Sequence, residues 1–338
     1  MDTQHLRELN LSPHVRFRDA TALAGWLSSL PGIASSVLGA SREGRPVFGY
    51  TLGRGPEHIS VVAGSHADEP AGPMTAQALP GILAEAFPNV LQRFTFHVLP
   101  QINPDGAARN AAWFADPPAF AAYVEQAARE LPGDDVEFGF GGPDPRPECR
   151  AAMTFLEAGA PYTAHFSLHG MAYAEGAWFL LCREWAQRGQ PLMDRLTGFC
   201  ARLGFPLHDI DRKGEKGFSR LGPGFSTTPT APAMRAYFQR QNDAETAAKF
   251  QPSSMEYVSS LGGNPLCMVS EAPLFLIQAG ASPPDDPVLF RFRDALREAT
   301  DADAVRAVAA RYQVAPVPFE QQMRLQLAML LLALQSAG

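Results

Sequence analysis

Short apolar runs that end on polar, chemically capable side chains, separated by stretches of helical spacing, constrain this chain most. The clearest runs from Ile59 to Ala63 and leads directly into Gly64-Ser65-His66-Ala67-Asp68-Glu69-Pro70. An uninterrupted apolar run this short, bounded by a turn, reads as a strand buried on both faces. Phe94 to Leu99 leads into the loop Pro100 to Gly106, Thr163 to Leu168 into His169-Gly170, and residues 264–270 into Glu271. Trp178 to Cys182 is a further strand, and Val37–Gly39 and Val47–Tyr50 form a hairpin around Ser41 to Arg45. Between these runs, Met74, Ala78, Leu79, Ile82, Leu83 and Ala86 recur at helical spacing. Helices are likewise predicted over 19–30, about 117–131, 148–158, 190–203, 287–312 and 318–335. The alternation predicts an α/β fold: a mixed, mostly parallel central sheet flanked by helices on both faces.

No repeat or linker divides the chain, so residues 1–338 are read as a single catalytic domain. Residues 209–232 are rich in Gly, Pro, Ser and Thr and have no periodicity. So long a loop in a compact domain is usually functional, and it is expected to border the active site. The last helix is very apolar from Leu325 to Leu334. It must be buried in the core or at a subunit contact, which makes it a candidate homo-oligomer surface.

A net charge of −7 with no basic stripe argues against nucleic acid as a partner. No run of about 20 apolar residues exists, so no membrane span is expected. The polar N-terminus lacks an apolar signal core. Cys149, Cys182, Cys200 and Cys267 fit no zinc or redox spacing and read as buried, reduced thiols of a cytoplasmic protein.

A histidine and a carboxylate three residues apart at a strand end can turn toward one metal ion. A catalytic zinc takes three protein ligands and keeps a position open for water. His5 and Glu8 share the spacing, but no apolar strand leads into them. Four motifs do follow strands: His66-Ala67-Asp68-Glu69, Asn103-Pro104-Asp105-Gly106, Ser167-Leu168-His169-Gly170 and Ser270-Glu271. Strand ends are where open α/β sheets place ligands.

The order and context of these motifs resemble the zinc metallocarboxypeptidases, the carboxypeptidase A-like enzymes, over residues from about 15 to 275. The resemblance implies one Zn²⁺ held by His66, Glu69 and His169, with Glu271 as general base. It implies a cation for the developing oxyanion, for which Arg109 is the candidate, and Asp135 as hydrogen-bond acceptor from the first zinc histidine, fixing its tautomer. One departure stands out. Where the family usually carries D-x-N-R-x-F, this chain has Asp135-Val136-Glu137-Phe138-Gly139-Phe140. The Asn-Arg pair that normally clamps the substrate's terminal carboxylate is gone, and Glu137 would repel a carboxylate. Glu137, Tyr237 and Tyr257 are candidate substrate-binding residues, and Arg146, Arg150, Arg212, Arg220 and Arg235 are candidate replacements for the lost arginine. His165, four residues before His169, reads as a packing residue.

The expected activity is zinc-dependent hydrolysis of a peptide or an amidated small molecule. Two other readings are an N-acyl-amino-acid deacylase of the aspartoacylase type and a zinc-binding protein without catalysis.

Overall fold

The computed structural model describes residues 3–30, 32–278 and 283–336; the start, Met1-Asp2, lies outside them. Its strands are β1 (Ala34–Ala40), β2 (Pro46–Gly53), β3 (Glu57–Ala63), β4 (Phe94–Leu99), β5 (Ala164–Ala174), β6 (Trp178–Leu181), β7 (Arg220–Gly222), β8 (Phe225–Thr227), β9 (Leu266–Leu276) and β10 (Ala315–Pro316). All join one ten-stranded sheet ordered β1-β2-β4-β3-β5-β9-β6-β8-β7, with β10 paired to β9. The centre, β4-β3-β5-β9, is parallel. These strands are almost wholly buried, which explains their near-continuous apolar sequences. The flanks are antiparallel, apart from the β6–β8 pair, so the sheet is mixed.

Helices cover both faces. Helix Ala71–Ala86, helix Gln190–Leu203 and helix Phe319–Leu334 pack on one side. Helix Pro147–Gly159 and helix Ser254–Ser260 cover the other. Gly72 lets the first of these lie directly on β5, since a Cβ there would sit 2.3 Å from the carbonyl oxygen of Leu168. From Phe319 to Leu334, nearly every residue of the last helix is buried within this one chain. That packing accounts for its apolar sequence without a second copy.

Several elements depart from the sequence reading. The predicted helix near 117–131 is only Phe120–Gln126. The strand expected to end at Glu271 continues through it to Leu276. The tail helix predicted over 287–312 is two helices, Val288–Glu298 and Ala302–Arg311. Helices Ala231–Arg240, Ala244–Lys249 and Ser254–Ser260 were not among the predicted elements; side-chain caps from Thr230, Asp243 and Ser253 start them. No helix of the described residues is long and apolar enough to cross a membrane. The four cysteines are free and buried.

His165 is a packing residue, as its context predicted. Its ring lies 2.8 Å from Ser60 Oγ and 3.1 Å from Ser254 Oγ, with no exposed surface. Burial pushes its pKa down from 6.5 to about 4. A base whose folded pKa is depressed leaves stability intact above its unfolded value and removes it as the pH falls between the two. Acid should therefore cost the fold about 3 kcal/mol between pH 6.5 and 4 through this group. A His165→Gln variant should show a flatter denaturant-derived stability profile across that window.

Candidate metal centre

β3 delivers the chain to Gly64, whose φ of +76° turns it sharply out of the sheet. This left-handed φ favours glycine, and a Cβ at Gly64 would lie 1.9 Å from Gln101 Oε1 and displace that side chain. His66 follows in the loop, and Glu69 lies just before helix Ala71–Ala86. His169 is on β5, directly opposite Glu271 on β9. Register partners project from the same face, so imidazole and carboxyl open into one space.

His66 Nδ1 lies 2.7 Å from Glu69 Oε1, His169 Nδ1 lies 2.9 Å from Glu69 Oε2, and the two ring nitrogens are 3.1 Å apart. All three donor atoms fall within 4.8 Å of one another. A tetrahedral zinc with arms of about 2.0–2.1 Å spaces its donors about 3.3 Å apart, so this nitrogen–nitrogen–oxygen set fits zinc. The predicted ligands are thus brought together.

Their charges are tightly linked. Burial alone would raise Glu69, but the facing His66 and His169 outweigh it and hold the carboxyl well below the usual range. Burial would lower His169, yet Glu137 and Glu69 hold it well above the ordinary histidine value.

Glu137 lines the cleft and also contacts one of the ligands. Its Oε2 accepts from His169 Nε2 at 2.9 Å, and its own pKa is lowered against burial by that imidazole. It orients His169, leaving Nδ1 free to face Glu69. The backbone carbonyl of His169 accepts from Ser270 Oγ and from Gln326 Nε2, each at 3.1 Å. Gln326 is a fully buried amide in the apolar last helix, and that isolation was the signal that could have found it. If Glu137 fixes the tautomer, Glu137→Gln should lower metal affinity about 10- to 100-fold with the fold intact, as measured by competition with a chromogenic chelator.

Asp135 lines the same cleft and feels the charge of His66, though burial raises its pKa overall. Its Oδ1 accepts from the Phe138 backbone N–H at 3.5 Å. The expected bond from His66 is not among its contacts in the described residues.

The cleft above these groups holds about 740 Å³ and is lined by Glu271, Tyr123, Tyr173, Arg129 and Trp178, among others. Burial and the neighbouring Glu69 carboxylate raise Glu271 to about 8.

Arg109 is not in this cleft. It sits on helix Pro104–Asn110 and is spent on surface ion pairs, 2.6 Å from Glu43 and 3.2 Å from Glu130. The cation beside the ligand set is Arg129, which the sequence reading missed. Its guanidinium lies 3.3 Å from Glu69 Oε1 and 3.5 Å from Asp68 Oδ1. The N-P-D-G motif supports it at a distance: Asn103 Nδ2 donates to Glu130, the next residue, at 2.7 Å. Asp105 instead ties down the β1–β2 turn, accepting from Ser41 Oγ, the Glu43 backbone and Arg45.

Tyr237 and Tyr257 do not line the cleft either. Tyr257 donates to Glu157 of helix Pro147–Gly159 at 2.5 Å, and Tyr237 lies beneath Lys216. The loop 209–232 does border the cleft, through Arg212, Lys216, Phe218 and Pro229.

Residues 23–116 match the family model described as zinc carboxypeptidase. No curated protein matches the chain in sequence. Among solved structures, a metallo-carboxypeptidase from Burkholderia cenocepacia superposes with a TM-score of 0.54 at 17% identity, over 94% of this chain and 67% of that one. Bovine thrombin-activatable fibrinolysis inhibitor, solved with a tick carboxypeptidase inhibitor, gives 0.51 at 11% identity, over 96% of this chain and 100% of that one. At these identities the structures establish the fold. Family match and fold agree with the motifs, and the chain is similar to a divergent member of the zinc carboxypeptidase family.

Proposed function

We propose that this protein is a zinc-dependent hydrolase of peptide or amide bonds, with His66, Glu69 and His169 holding the metal and Glu271 as general base. The observation that carries the reading is the convergence of two imidazole nitrogens and one carboxylate beside the strand-paired Glu271. The family match and the fold support a hydrolase of the metallopeptidase type.

Zinc bound at these donors would lower the pKa of its water toward neutrality and polarise the attacked carbonyl. Glu271, raised by burial, is suited to accept that proton and to return it to the leaving nitrogen. Arg129 faces the ligand set and supplies positive charge where the carbonyl oxygen becomes negative. Asp68 anchors Arg129 on one side and accepts from Tyr123 Oη at 2.7 Å on the other, which fixes the guanidinium against the cleft wall. Trp178 and Tyr173 provide apolar surface for the substrate.

The test is a panel of peptides with free and blocked C-termini and of N-acyl amino acids, assayed with the metal present, chelated and restored. The expected result is turnover that vanishes with chelation and returns with zinc. Turnover indifferent to the chelator would exclude the proposal. Preference for N-acyl amino acids would make the enzyme a deacylase.

A further inference from the structure

The cleft has a second charged region. Arg212 and Lys216, from the loop 209–232, and Arg293, from helix Val288–Glu298, line the same cavity as His169 and Glu271. Between them these cations have one carboxylate partner. Arg212 Nη2 donates to Glu215 at 2.5 Å, and its guanidinium lies 4.9 Å from the Phe218 ring. Its Nε–H is buried without any partner. Lys216 Nζ rests 4.5 Å above the Tyr237 ring and 5.6 Å from that of Phe238. Its backbone is left-handed, with φ of +56°, an unusual conformation for a lysine that the surrounding loop must impose. Among the described residues Arg293 has no hydrogen-bond or ion-pair partner.

These groups repel one another. Burial first, and the charge of Arg212 next, hold the Lys216 ammonium below the ordinary lysine range. Burial and the charges of Arg212 and Arg129, against a favourable effect of Tyr173, do the same to Arg293. With 35 Asp and Glu against 28 Lys and Arg, this chain has acids to spare, yet among the described residues neither Arg293 nor Lys216, which both line the cleft, forms an ion pair. Surface cations need no ligand, but clustered, partly buried, unneutralised cations are stabilised by an incoming anion. Planar guanidinium groups favour carboxylates, which they bind through paired N–H donors. Glu137 and Glu271 line the same cleft as these cations, so it offers groups of both signs.

We propose that Arg212, Lys216 and Arg293 form a receptor for a carboxylate carried by the substrate. The proposal rests on the hydrolase reading above, and the receptor would orient the scissile bond by holding the substrate's anionic end away from Glu137. The carboxylate could belong to a C-terminus or to an acidic side chain, and the test separates these.

Three N-acetylated peptides of equal length serve as probes: one with a free C-terminus, one amidated, and one amidated with glutamate as its last residue. The zinc-loaded wild type should favour one of the carboxylate peptides over the neutral amide about 10- to 100-fold in kcat/KM, and the preferred one identifies the source. Arg293→Met, which leaves no partner orphaned, should bring that ratio toward one, and Arg293→Glu should invert it. Arg212→Gln gives a second, independent variant, and thermal melts verify that each is folded. A ratio that neither variant changes overturns the receptor. Calorimetric binding of the same peptides to the Glu271→Gln protein requires no turnover. Carboxylate-selective binding with no turnover by wild type keeps the receptor and removes the hydrolase. Turnover without selectivity keeps the hydrolase and removes the receptor.

Discussion

Glu271→Gln should lower kcat by about 10²- to 10⁴-fold while zinc remains bound. The amide preserves size and much of the packing on β9, but it cannot take a proton. Glu271 is a carboxyl that burial and the adjacent Glu69 raise to about 8, opposed by the positive charges of His169 and Arg129. Positive charge added at the ligand set would lower that value further, so the base should become competent on the acid side of 8. The wild-type kcat/KM should therefore rise with pH through the Glu271 ionisation, and that limb should be missing from the residual activity of the variant. Metal content measured on the same preparation separates loss of the base from loss of the ion. A variant that keeps zinc, the rising limb and kcat within tenfold of wild type would remove Glu271 from the proposed mechanism.

Arg129→Met is expected to cost about 10²- to 10³-fold in kcat, with a smaller change in KM, because the charge it supplies is needed mainly as the carbonyl oxygen becomes an anion. Arg109→Met should stay within about fivefold of wild type, since exposed ion pairs like those to Glu43 and Glu130 are worth about 0–1 kcal/mol. Steady-state kinetics on the two variants side by side make the comparison. Equal losses would mean that Arg129 acts no differently from a surface arginine.

That contrast also marks where sequence reasoning ran out. His66 and Glu69 were legible because strand, tight turn and ligand pair are contiguous, and the left-handed turn at Gly64 favours glycine. His169 and Glu271 were legible because buried parallel strands read as apolar runs, and each run ends or pauses on a side chain that lines the cleft. Arg129 was not, since helix Phe120–Gln126 stops short of it and residues 127–133 are placed by long-range bonds such as Asn103 to Glu130. No local pattern encodes such a bond. Glu137 lines the cleft, but its contact with His169 was not legible, because the two are 32 residues apart. Tyr237 and Tyr257 lie near the cleft in sequence, and their helices turn them elsewhere. The short strands β7 and β8, three residues each, owe their form to the sheet edge they join rather than to any periodicity.

The most direct test of the account is a zinc titration of the metal-stripped protein in competition with a chelator of known affinity, repeated on His66→Ala, Glu69→Ala and His169→Ala. One tightly held ion per wild-type chain, lost or weakened by several orders of magnitude in every variant, is the predicted result. Wild-type protein that takes up no zinc, or variants that bind it as tightly as wild type, would contradict the shared site on which the proposed chemistry depends.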